Sequence, residues 1–140
     1  MIRVLLVFGC AVLQIITLTA CAPTRQPEHV NPIIQSGFLY TVDDGEGWFR
    51  FAKVLVVDDQ AVHIRLYKNR FRERPTTVDP ATLVLGNIQD ADGFGIGHLP
   101  LTQKAFAAWK PVFLERGVVK PDELEGYETW KDAGGKLFGN

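Results

Sequence analysis

Five side chains in this sequence combine reactive chemistry with a distinctive setting: Cys21, His63, Arg65, Tyr67 and His98. Cys21 closes Leu18-Thr19-Ala20-Cys21, at the end of an apolar run that begins at Val4, and a thiolate is a strong nucleophile. His63, Arg65 and Tyr67 occupy alternate positions opposite Val62, Ile64 and Leu66. A strand there would turn the three polar residues away from the core, toward a surface groove or solvent. His98 follows Gly93-Phe94-Gly95-Ile96-Gly97, whose alternating glycines allow close approach of a backbone or a ligand.

The same residues exclude several kinds of chemistry. His29, His63 and His98 lie in separate segments without His-Glu-x-x-His or paired-cysteine spacing, so no metal is expected. The glycine-rich segment has no Gly-Lys-Ser/Thr ending and is read as a connection into a following helix. Ser36 is the only serine, and no Gly-x-Ser-x-Gly turn surrounds it. Asp58-Asp59 reads as a turn pair. No catalytic residue is assigned and no cofactor is expected, which makes an enzyme the less favoured class. The alternative is a small hydrolase using His98 with a nearby carboxylate.

The amino terminus sets the context. Arg3, an apolar core and small residues before Cys21 follow the order of a secretory signal, and the core is shorter than the roughly 20 residues of a spanning helix. Leu18-Thr19-Ala20-Cys21 resembles the lipobox of bacterial lipoproteins. The resemblance implies cleavage of residues 1–20, diacylglyceryl transfer to the Cys21 thiol and acylation of the new amino group. Multiple chains anchor durably, because each buried methylene contributes about 0.8 kcal/mol. Ala22, where an aspartate would favour the inner membrane of enteric bacteria, points to the periplasmic face of the outer membrane if the source is Gram-negative. Cys10 lies inside the segment to be removed, so the mature chain is expected to form no internal disulfide.

Residues 21–35, with Pro23, Pro27 and Pro32, read as a tether able to reach up to roughly 40 Å. Residues 36–140 then read as one α+β domain. Residues 37–42, 48–57 and 61–67 are predicted strands, separated by Asp43-Asp44-Gly45-Glu46-Gly47 and Asp58-Asp59-Gln60. Residues 82–85 are a candidate fourth strand, and 86–97 are expected to be loop. Thr102 should cap a helix to Ala108 or Trp109 that turns Ala105, Phe106 and Trp109 inward. Residues 112–115 fit helix or strand. Pro121, with Asp122 and Glu123, should open a second helix that ends at Gly134-Gly135.

Residues 47–59 and 62–67 resemble the central strands of Tudor-like small barrels, with Gly47, the aromatic pair Trp48-Phe49, Lys53-Val54 and a turn into an alternating strand. The fold expected is therefore an antiparallel meander or SH3/Tudor-like barrel followed by two C-terminal helices. In Tudor domains an aromatic cage holds a methylated cation, with Tyr40, Trp48, Phe49, Tyr67 and Phe71 as the corresponding candidates. Tyr67-Lys68-Asn69-Arg70-Phe71 replaces the usual acidic segment, and its charge opposes such a ligand.

The 15 basic and 16 acidic side chains nearly balance, which argues against nucleic acid as a partner. A basic cluster from Arg65 to Arg74 and an acidic one from Asp122 to Asp132 read as two solvated faces. The expected function is a lipid-anchored binding or accessory module for an envelope protein or polymer, with His63, Arg65, Tyr67 and His98 as binding residues.

Overall fold

Short polar turns set the first three strands. The computed structural model describes residues 33–139; the signal segment, Cys21 and most of the tether lie outside them. Asp43 accepts the amide of Gly45, and Asp44 accepts those of Glu46 and Trp48. Gly45 and Gly47 take positive φ, which glycine adopts without steric strain. This turn joins β1 (Phe38–Asp43) to β2 (Phe49–Val57). Asp58 then accepts the amides of Gln60 and Ala61, leading into β3 (Ala61–Phe71).

β3 runs four residues past the expected end at Tyr67. Residues 82–85 form no strand: Pro80–Thr82 is a 3-10 turn, and Val84 then accepts the Lys68 amide at 2.9 Å. The fourth strand is instead β4 (Ile96–Thr102), which begins at the end of the segment 86–97 expected to be loop. It pairs with β3 from Ala61↔Thr102 to Leu66↔Ile96. Just before it, a Cβ on Gly95 would collide with the Leu66 carbonyl oxygen. At this position glycine permits a close backbone crossing.

Thr102 caps α1 (Gln103–Ala108) through the Ala105 amide at 3.1 Å, as its sequence predicts. Lys110 adopts φ 50° before Pro111, and the chain returns as β5 (Val112–Arg116), antiparallel to β1. A 3-10 turn (Pro121–Leu124) leads directly into α2 (Glu125–Asp132). Gly134 and Gly135, both at positive φ, follow it.

The result is an antiparallel sheet of order β4-β3-β2-β1-β5 with two helices toward the C-terminus, the α+β class expected; α1 precedes β5, so only α2 follows the last strand. One face gathers Tyr40, Val42, Val54, Val62, Ile64 and Leu66 with Phe106 of α1. The other holds Leu39, Phe51 and Tyr67 beneath Leu83, Leu85 and Leu114. Both faces are therefore buried, which corrects the expectation that His63 and Tyr67 face outward. His63 is fully buried, and Tyr67 nearly so. Strand alternation separates two faces, but it does not say that a later segment will cover the polar one. Among the described residues no helix is long and apolar enough to cross a membrane.

Candidate functional site

The expected binding residues separate into three environments. β3 and β4 bring His63 and His98 together, with His63 Nδ1 3.0 Å from His98 Nε2 and the rings stacked 5.2 Å apart. His63 Nε2 donates to Asp58 Oδ2 at 3.0 Å. With both rings neutral, His98 Nε2–H donates to His63 Nδ1, so the proton positions are fixed in sequence from the carboxylate outward. Tyr127 and Trp130 of α2 close over His63 edge-on, at 4.8 and 4.5 Å between centroids.

Burial, followed by the neighbouring His63 charge, pushes His98 down from 6.5 to about 4. Burial also raises the Asp58 carboxyl, but its bonds to His63, Gln60 and Ala61 outweigh that and hold it below its ordinary value. The two rings form a hydrogen-bonded pair beneath α2. No group of three or more histidine, cysteine or carboxylate side chains suited to a metal occurs among the described residues.

Arg65 belongs to a second cluster. Glu123 receives Lys53 Nζ at 2.6 Å, Arg65 Nη1 at 3.2 Å and the Lys120 amide at 2.8 Å. Lys53 also donates to the Val118 carbonyl at 2.7 Å. Burial tends to raise the Glu123 carboxyl, but these bonds and the two cationic charges hold it below its ordinary value. This ionic knot ties the segment before α2 to β2 and β3. It is the one place where the basic and acidic clusters meet among the described residues. Lys68 instead pairs with Asp90 and Asp92, and Arg70 with Asp44 and Glu46. Two separate solvated faces are therefore an incomplete description.

Tyr67 lies in the second apolar cluster. The cage candidates do not converge on a ligand site. Tyr40 meets Phe106 edge-on at 5.7 Å in the core, and Phe71 meets Phe51 at 5.1 Å. Trp48 and Phe49 are already covered by guanidinium groups, Arg72 at 3.5 Å and Arg74 at 4.4 Å from the ring centres. The protein's own cations occupy the faces that a methylated cation would need.

A cleft of about 390 Å³ forms at another place, with Val42, Leu66, Ile96, Phe94 and Trp109 supplying apolar walls. Arg50 enters it from β2. Its Nε and Nη2 donate to the Tyr67 carbonyl at 2.9 and 2.7 Å, and Nη2 also donates to the Phe94 carbonyl at 3.0 Å. Burial and the nearby charge of Arg70 push its guanidinium below the usual arginine value. Asp44, Glu46 and Asp92 line the same cleft, but they make their ion pairs with Arg70 and Lys68.

Sequence reading missed Arg50, Lys53 and Glu123. Its available signal was the placement of Arg50 and Lys53 within the apolar run of β2, where a charged side chain requires a partner from elsewhere in the fold. No protein family, curated protein or solved structure matches this chain.

Proposed function

We propose that this chain is a lipid-anchored cell-envelope lipoprotein whose folded part is a binding or accessory module for an envelope protein or polymer. The lipobox at Cys21 supports the anchor, placed on the periplasmic face of the outer membrane. The strand order β4-β3-β2-β1-β5, with a helical turn before β5, supports an SH3-like small-barrel reading of the sheet. The observation that carries the binding role is the cleft with Arg50 inside it. Its volume lies in the range of small-ligand sites, and its apolar walls with a few converging polar groups fit that use.

This reading moves the recognition surface away from His63, Arg65 and Tyr67. Their side chains are committed to packing and to the ionic knot. Cross-linking and co-purification of the full-length lipidated protein from its envelope should recover a partner, and Arg50→Gln should weaken recovery. Equal recovery by both proteins would remove the cleft from the partner interface. Labelled palmitate should enter the wild-type protein and not Cys21→Ser; incorporation by both would refute the anchor assignment.

A small envelope hydrolase is the second reading. Its supporting observation is the Asp58-His63-His98 line, which leaves His98 Nδ1 as a base when both rings are neutral. Neither histidine lines the cleft, so the binding reading uses more of the arrangement. Loss of a hydrolytic activity in His98→Ala, with the fold retained, would reverse that preference.

A further inference from the structure

Resting on the binding-module reading, we infer that the Arg50 cleft receives a carboxylate attached to a compact apolar group. Arg50 is the cation whose hydrogen bonds inside the cleft end only on carbonyl oxygens, those of Tyr67 and Phe94. The two other cationic side chains lining the cleft are neutralised differently. Lys68 contacts Asp90 and Asp92, while Arg70 contacts Asp44 and Glu46. Carbonyl dipoles orient a guanidinium without cancelling its charge, and a partly buried charge gains most from an ionic partner.

The remaining donor geometry favours the same chemistry. The hydrogen bonds of Arg50 use Nε and Nη2, and no buried side-chain nitrogen or oxygen among the described residues lacks a partner. Nη1 makes no hydrogen bond among the described residues, and a guanidinium nitrogen without one suits a carboxylate oxygen. Phe94, Ile96 and Trp109 provide an apolar surface for the ligand body. Asp44, Glu46 and Asp92 also line the cleft and oppose a highly charged polyanion, which favours a single carboxylate on an otherwise apolar body.

Both a free acylated amino acid and a peptide carboxyl terminus present this chemistry. The test uses isotope-labelled full chain in detergent micelles, titrated with N-acetylleucine, N-acetylleucinamide and the peptide acetyl-Ala-Leu. N-acetylleucine should saturate shifts at the Trp109 indole and the amides of Phe94 and Ile96, with its amide counterpart at least about tenfold weaker. The stronger ligand between N-acetylleucine and acetyl-Ala-Leu identifies the source the cleft suits better. Arg50→Gln should abolish the acid-over-amide preference.

Because Arg50 also holds two carbonyls, Phe94→Ala provides a second variant at an exposed wall residue; it should weaken both acids while the unbound spectrum stays folded. Equal binding of acid and amide to wild type, shifts elsewhere, or no saturation at millimolar ligand overturns the carboxylate inference without using either variant. If an envelope partner is nevertheless recovered in an Arg50-dependent manner, the binding-module reading survives that failure. Failure of partner recovery alongside selective acid binding would have the opposite meaning.

Discussion

Glu123 accepts three donors while nearly excluded from water, and its replacement leaves more than a missing surface contact. Lys53 would retain its buried ammonium opposite the Val118 carbonyl, without the carboxylate 2.6 Å away. Breaking one side of a buried ion pair costs about 3–5 kcal/mol. Glu123→Ala should therefore lower denaturant stability by about that amount, measured by urea unfolding, whereas replacing exposed Glu125 should change it by less than about 0.5 kcal/mol. Similar losses from both substitutions would contradict this role. The acidic cluster was legible in sequence, but the assignment of Glu123 to Lys53 across 70 positions was not. Nothing local distinguishes the acid that folds inward from neighbours that remain exposed.

At the level of elements, α2 determines whether the polar side of β3 is a surface. Gly126 makes this contact possible, because a Cβ there would stand 2.5 Å from His98 Cβ. Alanine would ordinarily favour a helix by roughly 1 kcal/mol over glycine. Here overpacking of about 1–3 kcal/mol opposes that gain. Gly126→Ala should destabilise α2, accelerating hydrogen exchange over residues 125–132 and shifting Trp130 fluorescence to the red. Slower exchange would show that helix propensity outweighs the contact. The turns and capping residues of β1, β2, β3 and α1 are legible because their signals are local, as in Asp58 and Thr102. β4 was missed because alternating glycines resemble a loop until the Leu66 backbone comes into close contact with Gly95.

Across the whole molecule, the neutral His98 connects stability to pH. Its ordinary value of 6.5 falls to about 4 in the fold, so the unfolded chain binds a proton more readily between those values. The stabilising contribution is present above 6.5 and is lost progressively as pH falls through 4. Thermal melts should show a lower Tm at about pH 4.5 than at about pH 7.5, with a smaller difference in His98→Gln. Asp58 and Glu123 have depressed values and contribute their losses at lower pH. An unchanged acid dependence in His98→Gln would assign the effect to another group.

Sequence alone determined the lipobox expectation, the turn-bounded strands, the cap of α1 and the α+β class, because each is encoded by residue types close together along the chain. Tertiary structure decided that the face bearing His63 and Tyr67 is buried, that His63 meets His98 across 35 positions, and that Arg50 reaches the Phe94 carbonyl across 44. Strand periodicity assigns a side chain to a face, whereas only the packing of distant segments determines whether that face meets water, a second layer or a ligand.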